Sequence, residues 1–219
     1  MLSIRRKIVE RFALNAFVTG DYERAEKYFL RLKSDEPDRL GADHNMGLVK
    51  LGLRQYAEAE AYFLRDRELF GGSYLRSRTL GDLYYIWGDR EKASKWYSAA
   101  LKESEDEVDK TLLRERVKIC SRESSFAAVQ ESHRSFEAAV LQQKSGELER
   151  AREMLELAVQ QDPTNFQAWN NLGSVFMEDP ARQTDAVSCF TRARAYSSIP
   201  AIVRNLEEAE KRAGETKRG

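Results

Sequence analysis

Few residues in this chain have the chemistry of an active centre. Cys120 and Cys189 are the only cysteines, and His44 and His133 the only histidines, among 219 residues. None falls at a metal-ligand spacing. Two cysteines with no motif around them do not make a disulfide framework, so both read as reduced, small apolar interior residues. There is no glycine-rich phosphate loop and no nucleophile elbow. Catalysis needs polar groups converging in a dry pocket, whereas the acids and bases here fall along solvated helix faces. We therefore expect no enzyme, cofactor or metal. Binding chemistry is better represented. An asparagine amide both donates and accepts, which suits a bound peptide backbone. Asn45 and Asn171, at equivalent places in the sequence, are the candidates, against the alternative that such an amide caps or contacts an adjacent helix.

The totals narrow the partner. Lys plus Arg and Asp plus Glu are 36 each, which argues against a nucleic-acid binder driven by bulk charge. Hydrophobic residues at 42% and charged residues at 33% suit a soluble helical protein with solvated outer faces. No run approaches the ~18 to 20 apolar residues of a membrane span. The N-terminal MLSIRRKIVERFALNAFV starts basic, but Glu10 and Arg11 interrupt it and no small-residue cleavage site follows. We read it as part of the first repeat, with an amphipathic presequence as the rival. A cytoplasmic location is expected; a removed targeting segment stays open.

What positions these residues is a repeat. Leu80–Leu101 reads as two amphipathic helices joined at Gly88-Asp89, and it recurs with a 34-residue period over Arg6–Arg39, Leu40–Ser73 and Tyr74–Glu107. A fourth copy fits Ser132–Asn165, and a fifth begins at Phe166. Each copy carries one small residue on each helix: Ala13 with Ala25, Gly47 with Ala59, Gly81 with Ala93, Ala139 with Ala151, Gly173 with Ala186. A large one follows: Phe29, Phe63, Tyr97, Leu155, Phe190. Antiparallel helices approach closely only over small side chains, and the large residue is expected to fill the groove against the next pair. Gly20-Asp21, Gly88-Asp89 and Gly146-Glu147 should end one helix and open the next. Thr164 and Gln167 read as a capping box opening the fifth copy.

These residues resemble the tetratricopeptide repeat. The clearest copy is AWNNLGSVF, with Trp169, Leu172, Gly173 and Phe176; Leu80, Gly81 and Tyr84 match in the third, and Asp162-Pro163 matches the usual end of a unit. The resemblance covers five copies. It implies an all-α fold, a right-handed superhelical α-solenoid of helix–turn–helix units, and a role in binding other polypeptides. Departures are Asp66, at a usually small apolar position, which should face solvent or end its helix differently, and Gly71-Gly72 in place of a proline turn. Copy five needs an extra residue near Asp179-Pro180-Ala181, hence a looser turn.

Residues 108–131 fit no copy. Leu112, Leu113, Val117, Ile119 and Cys120 recur at helical spacing, so Glu107–Cys120 reads as an extra helix and the next helix should start near Ser125 and reach Lys144. Pro200–Ala213 reads as a polar-backed capping helix, with Gly214–Gly219 fraying. The expected organisation is three repeats over 1–107, the insertion 108–131, two repeats over 132–199, and cap and tail over 200–219.

In the resembled family the first helices line a concave groove. By register its lining here would include Leu14, Phe17, His44, Asn45, Leu48 and Leu51. Arg78, Asp82, Tyr85 and Ile86 continue it, with Asn170 and Asn171 in the fifth copy. The apolar members suit a partner's helix or extended segment; the competing reading buries several of them against neighbouring repeats. The family's carboxylate clamp for chaperone C-termini wants Lys and Asn in the first repeat, Asn in the second, and Lys and Arg in the third. Glu10, Leu14, Asn45, Leu75 and Thr79 stand there, so such a clamp is disfavoured. Arg5, Arg6, Lys7, Arg76 and Arg78 read as a salt-bridged surface, with acidic-peptide recognition as the main alternative. The leading expectation is a non-catalytic adaptor scaffold for a protein or peptide of unknown identity. Its rivals are a self-associating homo-oligomer and, remotely, an enzyme with a site near the insertion.

Overall fold

The computed structural model describes residues 2–216, and among them the chain is all-α, twelve α-helices with no strand, of the helix–turn–helix solenoid class. It divides into two compact units, Met1–Trp87 and Gly88–Gly219. The first holds α1 (Leu2–Val18), α2 (Tyr22–Asp35), α3 (Ala42–Gly52), α4 (Tyr56–Phe70) and α5 (Tyr74–Trp87). The second holds α6 (Arg90–Glu103), α7 (Glu107–Cys120), α8 (Glu123–Lys144) and α9 (Leu148–Gln161). It continues with α10 (Phe166–Met177), α11 (Gln183–Tyr196) and α12 (Pro200–Thr216). Compactness parts α5 from α6, which the repeat register groups in one hairpin.

The turns follow from their residues. Gly20, Gly88 and Gly146 have φ of +80°, +94° and +79°, the left-handed region that favours glycine. Asp21 and Asp89 then cap the next helices, accepting from the N–H of Arg24 at 3.1 Å and of Lys92 at 3.0 Å. Glu147 occupies the same place without a side-chain cap. Copy two puts Arg54 where copies one, three and four have glycine, and Arg54 adopts φ +59°. The expected capping box at Thr164 does not form. Asn165 caps α10 instead, accepting from Ala168 N–H at 3.0 Å, while the Thr164 hydroxyl donates to Asp162 at 2.6 Å.

The small-and-large rule works differently from expectation in two hairpins. The Phe63 ring lies over Gly47, where an added Cβ would fall within 2.8 Å of three ring atoms; Phe190 covers Gly173 within 2.9 Å. The large residue therefore seats first on its own hairpin, because a flat ring fills the space a glycine leaves. It still reaches onward: Phe29 joins Ala13 and Ala25 to Met46 and Val49 of α3. Phe190 likewise clusters with Ala209 of α12.

Asp66 neither faces solvent nor ends α4. It is 2% exposed, accepts from Arg76 Nε at 2.7 Å, and α4 continues to Phe70, stopping at Gly71 with φ +78°. A charge is tolerated there because α5 delivers the opposite one. The looser fifth turn is a 3-10 segment, Pro180–Arg182, capped by Asp179. In the second unit α7 has the expected span, packs on α6, α8 and α11, and fully buries Leu112 and Leu113. The next helix starts at Glu123, two residues before the expected Ser125. α12 buries Ile202 and Ala209 and runs past Ala213 to Thr216; of the tail expected to fray, 217–219 lie outside the described residues.

Gly47→Ala is expected to cost about 1–3 kcal/mol of unfolding free energy through overpacking against Phe63. Gly146→Ala, whose Cβ would meet nothing within 4 Å, isolates backbone strain at about 1–2 kcal/mol. Urea unfolding of both variants checks the difference.

Candidate partner-binding surface

The first helices of the first unit place equivalent positions on one face by the 34-residue register: Glu10, His44 and Arg78; Leu14, Leu48 and Asp82; Phe17, Leu51 and Tyr85. Leu14 is 46% exposed; Leu48, Leu51 and Ile86 are half-buried. Phe17 is half-buried, edge-on to Tyr22 at 5.7 Å. Tyr85 is 3% exposed, so it underlies the face instead of presenting to it. Arg78 donates to the Tyr74 hydroxyl at 2.7 Å and stands 3.8 Å from Asp82. Asn45 is half-buried, and its amide has no hydrogen-bond partner among the described residues.

The asparagines of copy five differ. Asn171 Nδ2 donates to Gln143 Oε1 at 3.2 Å, and Asn170 Oδ1 accepts from Asn205 Nδ2 of α12 at 2.9 Å. Both amides contact neighbouring helices, which for Asn171 is the alternative posed by the sequence. The equivalence of Asn45 and Asn171 therefore holds in register and not in bonding.

Electrostatics in the first unit turn on a few buried pairs. Lys33 bonds Asp43, which is 1% exposed, and Asp66 pairs with Arg76. Both pairs span ten residues across the turn between repeats. Opposite charges at that spacing were the sequence signal that would have found them. His44 lies against the Phe63 ring at 5.7 Å. Burial holds its pKa below the usual histidine value, Asp66 opposing and Arg76 reinforcing the shift. The five-residue basic patch is dispersed: Arg6 bonds Glu36, Arg76 and Arg78 are paired, and Arg5 and Lys7 stay exposed.

In the second unit the insertion brings a cation the sequence reading missed. Arg116, 9% exposed, donates to the Tyr97 hydroxyl at 2.8 Å and from Nε to Thr164 at 3.4 Å. Thr164 in turn is tied to Asp162, so polar groups of α6, α7 and the α9–α10 turn interlock out of solvent. The sequence placed its remote catalytic alternative near this insertion, where the groups just named hydrogen-bond one another. Among the described residues no group of three or more His, Cys, Asp and Glu is placed to hold a metal. No described helix is long and apolar enough to cross a membrane.

Burial pushes the Cys120 and Cys189 thiols up to about 12. Iodoacetamide at pH 8 should leave both unmodified in the folded protein and alkylate both in urea, read by mass spectrometry. Asp66→Asn strands Arg76 and should cost about 3 kcal/mol in denaturant titration. For His44 the unfolded chain binds the extra proton first as pH falls below 6.5. Its contribution to stability is therefore full above that value and lost as pH drops through the depressed folded pKa. His44→Gln should flatten the fall of unfolding free energy as pH drops below 6.5.

The tetratricopeptide repeat family matches residues 79–107. Among solved structures, the TPR2AB-domain:pHSP90 complex of yeast Sti1 is 13% identical, covering 99% of this chain and 93% of that one at TM-score 0.48. YrrB, described as a TPR protein with an unusual peptide-binding site, is 15% identical over 90% and 89% at TM-score 0.43. MamA 41-end from Desulfovibrio magneticus RS-1 is 18% identical over 87% and 94% at TM-score 0.37. No curated protein sequence matches the chain. The match at 79–107 marks one tetratricopeptide repeat, and the recurring pairs of small residues extend a similar helix–turn–helix pattern to the other copies.

Proposed function

We propose that this chain is a non-catalytic scaffold that docks a segment of a partner polypeptide on the first-helix face of Met1–Trp87. Repeats of this family are interaction modules, and the finer reading rests on one observation. Asn45 offers an unengaged amide beside Leu48 and Leu51, both half-buried. An amide in that state can satisfy a donor and an acceptor of a bound backbone. Completing the burial of each leucine would contribute about 1 kcal/mol. Leu14, Phe17 and Ile86 extend the contact, and His44 with the Arg78–Asp82 pair frames it. Tyr85 supports the face from beneath, and Asn170 and Asn171 take no direct part, since their amides are engaged within the chain.

A chaperone carboxylate terminus is not the ligand we propose. Glu10, at the position where the clamp wants a cation, lies 3.5 Å from Arg39, and the Thr79 hydroxyl donates to the Leu75 carbonyl.

A photo-crosslinking residue placed at Leu48 should trap the partner segment, and one at Leu64, exposed on α4, should not. Leu48→Asp should weaken capture about tenfold with the fold intact, whereas Leu64→Asp leaves it unchanged. Equal trapping at both positions, or full capture by Leu48→Asp, overturns the assignment. Tyr85→Ala is unsuited to this test, because truncating a buried aromatic should cost about 3–5 kcal/mol of stability.

A further inference from the structure

A second face of α1 is apolar and exposed. Ile4 is 67% exposed, Ile8 and Phe12 49% each, and Val18 81%. At 3.6 residues per turn these fall within one half of the helix circumference, opposite Ala13, which packs with Ala25 of α2. The repeat register says what that half does elsewhere. Phe12 and Asn15 correspond to Met46 and Val49 on α3, and to Leu80 and Leu83 on α5. All four counterparts are fully buried, and Met46 and Val49 pack with Phe29 of the preceding second helix, α2. On α1 the same positions are exposed.

Charge selects the occupant. Arg5, Lys7 and Arg11 are exposed on this half of α1 and form no ion pair with a described residue, in a chain whose net charge is zero. Lys7 and Arg11 line a shallow open depression with Leu14, Asn15, Val18 and Glu10, whose carboxylate lies 3.5 Å from Arg39. Around the helix these two cations lie inside the apolar arc, between Leu14 and Ile8. Hydrocarbon would bury them without partners, at high cost. A second copy paired through α1 would set three cations against three. Carboxylates on a partner helix answer both difficulties.

We propose that this face of α1 docks an amphipathic acidic helix of a partner polypeptide, its apolar stripe on Ile4, Ile8 and Phe12 and its Asp or Glu residues on Lys7 and Arg11. The site is separate from the first-helix groove, which it meets at Glu10 and Leu14, and does not rest on it.

The test uses the full chain and a fluorescent synthetic helix with a leucine stripe flanked by glutamates. Its lysine-flanked counterpart and phosphatidylserine–phosphatidylcholine vesicles are the comparison probes. The glutamate helix should bind, more weakly as salt rises, and the lysine helix should not. Lys7→Glu/Arg11→Glu should weaken binding about tenfold. Leu48→Asp should leave it unchanged. Ile8→Gln gives a second reading if the charge reversal perturbs the fold by circular dichroism. The proposal fails if the glutamate helix does not bind, or binds both α1 variants as well as the parent. It fails equally if vesicles but not the helix are bound, or if ultracentrifugation shows a dimer that Ile8→Gln dissolves.

Discussion

The close crossing of paired helices over small side chains is the constraint on which this structure depends. Where the residue is glycine, as at Gly47 and Gly173, a phenyl ring occupies the vacated space. Where it is alanine, as at Ala13 and Ala25, the backbones meet over methyl groups and Phe29 reaches onto the next helix. Close packing makes each crossing intolerant of added volume. The angle and depth of each hairpin are thereby set, and with them which first-helix residues turn outward. Exposure of Leu48 and concealment of Tyr85 are consequences of that geometry more than of their own polarity.

Much of this was legible in the sequence because a repeat makes the same statement several times. A single pair of small residues says little, but four pairs twelve apart and a fifth thirteen apart mark a repeat. α7 was readable from its apolar stripe to the residue. The parts that were not readable depend on contacts between residues whose types give no hint alone. Asp66 looked like a surface acid; only α5, ten residues on, supplies Arg76 to neutralise it. Arg116 looked like one more charge on a solvated helix, and its partners Tyr97 and Thr164 lie 19 and 48 residues away. Thr164 seemed a cap by motif, but hydrogen-bonding Asp162 left that task to Asn165.

The candidate surface shows the same division. Register placed its residues on one face, since register is periodic. Which amides are engaged was not periodic: Asn45 and Asn171 occupy equivalent positions, yet Gln143 satisfies one and nothing described satisfies the other. Polar chemistry in a repeat protein is local to each copy, while the scaffold presenting it is shared.

The packing of α7 on α11 has a further consequence. Ideal repeat arrays bond only to their neighbours, so they can melt segment by segment from either end. Here an element early in the second unit grips one near its close, and Arg116 fastens it to the α9–α10 turn between. Such a clasp couples α6 through α12 in one cooperative transition, so fraying at α12 does not spread inward as it would in an uninterrupted stack.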